Sequence, residues 1–127
     1  MQTLGIGVDI IENSRIKKSI INKNFINRVF SLEEITESKK KKSKVSFFSK
    51  RFAAKEAFSK ALGSGIRKGL NFKDISIIND KLGKPSFFIT KKIRKIIKKR
   101  FKINTFNFFL SISDEKKYSI AFVIFQK

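Results

Sequence analysis

Two of the ten acidic residues in this 127-residue chain stand out for what surrounds them. Asp9 ends the run TLGIGVD, in which Leu4, Ile6, Val8 and Ile10 alternate with Gly5, Gly7 and Asp9. Glu56 lies in RFAAKEAFSKAL, with Lys60 four residues on. Neither histidine nor cysteine occurs anywhere, which removes the commonest acid–base group and all imidazole or thiolate metal ligands. A metal bound here must be held by oxygen, which favours Mg²⁺, Mn²⁺ or Ca²⁺. From spacing alone, Asp9 and Glu56 could share such an ion. Equally, Glu56 and Lys60 could form an ordinary i,i+4 pair worth roughly a few tenths of a kcal/mol.

The alternation around Asp9 has the period of a strand with one apolar face, and it puts Asp9 on the face of Gly5 and Gly7. Those glycines either leave room beside the carboxylate for a bulky group or serve close packing. Glu56 is predicted to lie on a helix from about Ser46 to Leu62, ended by Gly63 in the segment Gly63, Ser64, Gly65. At about 100° per residue, Ala53, Ala54, Ala57, Phe58, Ala61 and Leu62 form an apolar arc. Lys55, Glu56, Ser59 and Lys60 lie opposite it, on a face that suits solvated charge.

Between strand and helix, Asn13 to about Lys23 suits a short helix, and Ser31 with Glu34 is a capping-box pattern opening another that ends in the lysines 39–42. DISII and PSFFI read as a hairpin across the turn NDKLGK. Thr90 can cap a basic helix with the apolar stripe Ile93, Ile96, Ile97 and Phe101. FNFFLSIS and YSIAFVIF are strands apolar at nearly every position, hence central or covered on both faces. The order predicts one α+β domain over residues 1–127, with helices packed on a mainly antiparallel sheet. No run of about eighteen apolar residues occurs and the N-terminus lacks a signal-peptide order, so a cytoplasmic protein without a membrane contact is expected.

GIGVDIIE and RFAAKEAFSKALGSGI strongly resemble the two signature segments of the holo-acyl-carrier-protein synthases, the short bacterial phosphopantetheinyl transferases. The similarity continues through FKDISIINDKLGKP and the closing hairpin. It implies the 4′-phosphopantetheinyl transferase fold and transfer of phosphopantetheine from coenzyme A to a serine of acyl carrier protein, releasing 3′,5′-ADP in support of fatty acid biosynthesis. By resemblance, Asp9 and Glu56 bind Mg²⁺ and Lys60 faces the diphosphate. Two carboxylates suffice for Mg²⁺, which keeps waters and substrate phosphate as its other ligands. Phosphoryl transfer needs such an ion, a cation near the leaving oxygens and an aligned nucleophile. Gly63, Ser64 and Gly65 offer bare backbone to the coenzyme, although Gly63 alone is also a helix cap. Arg51, Lys55, Lys84 and Pro85 are candidates for its nucleotide end. Arg15, and more weakly Arg28, match residues that meet the acidic carrier.

One family feature is missing. Where the strand usually carries a histidine, this chain has Phe109, followed by Leu110 and Ser111. Alternation puts Phe109 and Ser111 on one strand face, expected beside the coenzyme, but phenylalanine cannot take a proton. Fifteen phenylalanines are more than a small monomer's core readily hides, and the resemblance implies a homotrimer with coenzyme sites between subunits. The net charge of +20 suits steering of an acidic partner, or reflects drift toward lysine, isoleucine, asparagine and phenylalanine. A nucleic-acid-binding module is disfavoured by the single tyrosine, the absence of tryptophan and the lack of a base-reading motif. A homologue that lost catalysis with the histidine is the other alternative; retention of Asp9, Glu56 and Lys60 argues against it.

Overall fold

Strand β1 (Thr3–Glu12) runs directly into α1 (Asn13–Ser19), and two further short helices follow, α2 (Lys23–Val29) and α3 (Leu32–Ser38). The long helix α4 (Lys44–Leu62) leads through a 3₁₀ turn at Phe72–Asp74 to the hairpin β2 (Ser76–Asn79) and β3 (Pro85–Phe88). Helix α5 (Lys91–Phe101) and the hairpin β4 (Asn107–Asp114), β5 (Tyr118–Gln126) complete the chain. This computed structural model describes residues 1–64, 66 and 69–127. Among them no helix is long and apolar enough to cross a membrane.

The α+β architecture is as expected, with a three-stranded antiparallel sheet in the order β1-β5-β4 and a separate β2-β3 hairpin. Local signals set most boundaries. Ser31 accepts from the Glu34 N–H at 3.2 Å while Glu34 accepts from the Ser31 N–H at 3.0 Å, so both halves of the capping box form. Thr90 caps α5 through the Ile93 N–H. Gly63 ends α4 at φ +82°, the left-handed conformation glycine takes freely.

Four expectations need correction. The helix expected over residues 13–23 is two helices, because the Asn22 side chain accepts from the Asn24 N–H and caps a new start. Strand β4 is an edge strand, and only β5 is central. The outer faces of both are uncovered within one chain. The face of α4 opposite its apolar arc is solvated only in part: Lys60 is exposed and Glu56 half-buried, but Arg51, Lys55 and Ser59 are buried, because the chain from α2 to β2 closes over that side.

The apolar face of β1 points outward. Val8 is 54 % exposed, and Ile6 and Ile10 are exposed beside it, whereas Gly7 and Ile11 are buried. Inside, α4 lies across β1 and β5, and Phe108 stacks between Phe58 and Phe125 at centroid distances of 4.4 and 4.6 Å. These rings join Ala121, Val123, Ile93 and Ile97 in the core.

Candidate active site

The strand and helix that carry the two carboxylates touch through their backbones. A Cβ added at Gly5 would stand 1.9 Å from the carbonyl oxygen of Ala61, and one at Gly7 the same distance from that of Ala57. Only glycine permits this approach. The room left by the missing side chains is therefore filled by α4, not by a ligand, which settles the choice between the two readings of these glycines.

Asp9 is the next inward-facing residue of β1 beyond this seam, half-buried, and pairs across the sheet with Ala121. Glu56, also half-buried, stands on α4 within its field: burial raises the Glu56 carboxyl above its ordinary value, Asp9 raises it further and Lys60 lowers it. Burial likewise raises Asp9, opposed by the Lys60 hydrogen bond and charge and by the charge of Arg15. The Lys60 ammonium donates to Asp9 Oδ1 at 3.2 Å and to the Val8 carbonyl at 3.0 Å, bracing the outer edge of β1. Sequence and structure thus bring Asp9, Glu56 and Lys60 together, with Arg15 exposed nearby on α1.

This constellation fits a hard divalent cation. Two carboxylates whose proton affinities are raised by burial, that of Glu56 further by Asp9, form an oxygen-only donor set, and an ammonium already occupies part of the niche. Among the described residues no third acidic, histidine or cysteine side chain joins them. That leaves a site with room for waters and substrate oxygens, as Mg²⁺ prefers.

A second feature lies across α4. Asp9 pairs with Ala121, which pairs with Ile112 on β4. Ile112 lines a cleft of about 650 Å³ between the N-terminal half of α4, the β2-β3 turn and β4. Two strand spacings, about 10 Å, separate Ile112 from Asp9, and α4 lies over the intervening strand. Arg51 and Pro85 form part of its wall, as do Lys50 and Asn79, which the sequence did not single out. Asn79 was hidden as one polar residue in a turn-forming segment. The Arg51 guanidinium donates to Asn79 Oδ1 at 2.8 Å and stacks on Phe47 at 4.3 Å. Lys84 is exposed and lies outside the cleft wall; its backbone N–H donates to Asp80 Oδ1 in the turn.

Lys55 is not a phosphate ligand in this arrangement. Its side chain is 0 % exposed and its ammonium donates to Glu34 Oε1 at 2.7 Å, to the Phe72 carbonyl at 3.0 Å and to the Ile75 carbonyl. Three acceptors fill its three donors. Burial lowers its affinity for a proton below the ordinary value, and Glu34 offsets only part of that loss. Glu34, 1 % exposed, also accepts from the Ile77 N–H at 3.2 Å and so ties α3, α4 and β2 together.

The other candidates are dispersed. Gly63 is exposed at the end of α4 and Ser64 half-buried beside it, while Gly65 lies outside the described residues. Arg28 is exposed on α2. Phe109, 51 % exposed, and Ser111 share the outer sheet face, in the rows Ile6–Ile124–Phe109 and Val8–Phe122–Ser111. Asp9 faces the other way, so within one chain Phe109 and Ser111 are not beside the carboxylates.

Known proteins match this chain over nearly its whole length. A family model described as the 4′-phosphopantetheinyl transferase superfamily matches residues 5–123. A holo-[acyl-carrier-protein] synthase of Pelagibacter ubique (strain HTCC1062) is 72 % identical over 127 residues, covering 100 % of this chain and 99 % of the relative. The crystal structure of holo-[acyl-carrier-protein] synthase from Neisseria meningitidis superposes with a TM-score of 0.89 at 38 % identity, covering 99 % of this chain and 100 % of that one. That of a holo-(acyl-carrier-protein) synthase from Bacillus anthracis str. Ames, in complex with CoA (3′,5′-ADP), gives 0.82 at 35 % identity, covering 100 % and 99 %. With a signature strand and helix joined through their backbones and both carboxylates at that seam, the chain belongs to the holo-[acyl-carrier-protein] synthases of the 4′-phosphopantetheinyl transferase superfamily, and is a transferase.

Proposed function

We propose that this chain transfers 4′-phosphopantetheine from coenzyme A to a serine of an acidic acyl carrier protein in the cytoplasm, depends on Mg²⁺, and releases 3′,5′-ADP in support of fatty acid biosynthesis. The observation that carries this reading is the meeting of Asp9, Glu56 and Lys60 at the outer edge of β1. Asp9 and Glu56 would hold the ion, which supplies neutralising charge to the diphosphate when bound. Lys60, on a flexible stem and half-exposed, then has donors to turn toward the leaving oxygens. The bond formed is from the serine oxygen to the pantetheine-linked phosphorus; the bonds broken are the serine O–H, whose proton passes to solvent water, and the one joining that phosphorus to the oxygen that departs with 3′,5′-ADP. Arg15, exposed beside Asp9, would meet an acidic carrier as its serine approaches; Arg28, exposed on α2, would be a second carrier contact. Gly63, Ser64 and Gly65 follow the catalytic helix and would border the coenzyme.

The working form is a homotrimer in this reading. Support comes from the outer sheet face, where Ile6, Val8, Ile10, Ile120, Phe122 and Phe109 are exposed together. A neighbouring copy seated there would bring Phe109, Ser111 and the cleft of one chain toward the carboxylates of another, which one chain cannot do.

Incubation with apo carrier protein, coenzyme A and Mg²⁺, followed by mass spectrometry of the carrier, tests the proposal. The phosphopantetheine increment is expected, and Asp9→Ala and Glu56→Ala should each abolish it. No increment from a protein that still binds coenzyme A would favour the second reading, a homologue inactive for want of the histidine that Phe109 replaces.

A further inference from the structure

Helix α1 carries Arg15, yet little within the helix fixes the direction in which it points. It has seven residues, too few for a helix to persist by itself in water. Its N-cap, Glu12, makes no side-chain capping bond, and its first turn contains no acidic residue. Among the described residues of α1 only Ile16 is buried, where the helix packs on α4. One packed side chain is a pivot: it holds the helix down and leaves its direction open.

The second point of attachment is Asn13, the first residue of α1. Its Nδ2 donates to the carbonyls of Glu115 at 3.1 Å and Lys116 at 3.2 Å, and its backbone N–H to that of Lys117 at 2.8 Å. All three carbonyls belong to the turn between β4 and β5. The fully buried Ser119 hydroxyl donates to Asn13 Oδ1 at 2.8 Å. Both ends of the amide are therefore engaged, and turned over it would set its oxygen against two carbonyls. The turn is itself braced: Glu115 Oε1 accepts from the Lys117 and Tyr118 N–H groups at 3.0 and 2.8 Å, and the Glu115 N–H donates to the Tyr118 carbonyl at 2.9 Å. Ser119 pairs with Ile11 on β1, and Ala121, the next residue on its side of β5, pairs with Asp9. One strand thus anchors both the direction of α1 and the place of Asp9.

We propose that Asn13 and Ser119 are positioning residues for carrier binding: they set the direction of α1 so that Arg15 meets the acyl carrier protein with its serine aimed at Asp9 and Glu56. This rests on the reading of Arg15 as a carrier contact in phosphopantetheine transfer. Neither residue lines the cleft beside Arg51, and the hydrogen bonds of the Asn13 side chain go to the turn and to Ser119, not to the carboxylates. Their loss should therefore act on the carrier and spare the coenzyme.

Fluorescence anisotropy of labelled apo acyl carrier protein, and steady-state transfer with carrier and coenzyme A varied in turn, test this on the full chain. Asn13→Ala should raise the carrier Kd and KM by about fivefold or more, the effect of losing one or two net hydrogen bonds, and leave the coenzyme A KM unchanged. Ser119→Ala, which removes only the bond to Oδ1, should act in the same direction and less. A double-mutant cycle separates positioning from general support: in an Arg15→Ala background, Asn13→Ala should lose most of its effect on carrier Kd, because the group it positions is gone. A structural role alone would weaken carrier and coenzyme alike and add in full to Arg15→Ala, and that result overturns the proposal. So does an unchanged carrier affinity in Asn13→Ala, or a natural protein that does not bind the carrier. Should Asn13→Ala fail to fold, Ser119→Ala carries the same cycle. Carrier that is bound but not modified, with the cycle behaving as described, would refute the proposed function alone.

Discussion

Replacing Gly7 by alanine should damage stability and chemistry through one displacement. The added Cβ would sit 1.9 Å from the Ala57 carbonyl oxygen and 2.8 Å from the Ala61 nitrogen, both backbone atoms that no side-chain rotation can move. Restoring an ordinary contact of 3.4 Å requires strand and helix to part by about 1.5 Å, the difference between the two distances. Overpacking of this kind costs about 1–3 kcal/mol or more. At roughly 4 °C per kcal/mol for a chain of this length, Tm should fall by about 4–12 °C. The same shift moves Glu56 away from Asp9, and a misplacement of about 1 Å can lower a rate by about a hundredfold. The assay pairs thermal unfolding with kcat/KM for carrier modification. Ile97→Ala serves as the comparison, since Ile97 is fully buried on α5 and its truncation costs about 2–5 kcal/mol without touching the seam. Gly7→Ala should lose far more activity than Ile97→Ala at equal or smaller loss of Tm. If Gly7→Ala keeps Tm within about 1 °C and full activity, the seam does not set the carboxylate spacing.

Burial raises the proton affinity of Asp9 and Glu56, and Asp9 raises that of Glu56 further, so the folded protein holds these protons more tightly than the unfolded chain. The pair's contribution to stability therefore declines as pH rises from the ordinary carboxylate range through the raised values, then levels off. Glu56→Gln should raise Tm at neutral pH while abolishing transfer, and unfolding curves across pH would reveal any failure. Added Mg²⁺ should raise the Tm of the natural protein and leave that of Glu56→Gln unchanged, as differential scanning fluorimetry can establish. Lys55→Met should cost about 3–5 kcal/mol in urea unfolding, because it strands a buried carboxylate; a loss under about 1 kcal/mol would mean Glu34 finds other compensation. Phe122→Glu, at the middle of the outer sheet face, should give monomers in sedimentation velocity where the natural protein gives a larger species.

Local chemistry made much of this legible. Ser31, Glu34, Thr90 and Gly63 act on backbone within a few residues of themselves, so their sequence neighbours suffice to identify them. Alternation in β1 sorted residues correctly into two faces. It could not tell which face meets the core, because the deciding contact is a helix backbone some fifty residues later. The fate of Lys55 was hidden for a similar reason: its acceptors come from α3 and from the carbonyls of Phe72 and Ile75, none of them near it in sequence. Helix periodicity placed Arg51, Lys55 and Lys60 only relative to one another. Burial by α3 and the chain before β2 then divided them into a cleft wall, an internal tie and an exposed catalytic candidate. Asp9 and Glu56 were recognisable from flanking sequence, whereas the sidedness that keeps Phe109 away from them depends on strand register.

The outward apolar face of the sheet has a consequence for how the protein is handled. In the proposed homotrimer the protein, whose single chain leaves Ile6, Val8, Ile10 and Phe122 exposed, would couple its folding to mass action. Its midpoint of unfolding then rises with protein concentration, and dilution alone can mimic a destabilising substitution. Comparisons between variants hold only at matched concentration, and a substitution on this face will look like a folding defect even though it alters no contact inside the chain.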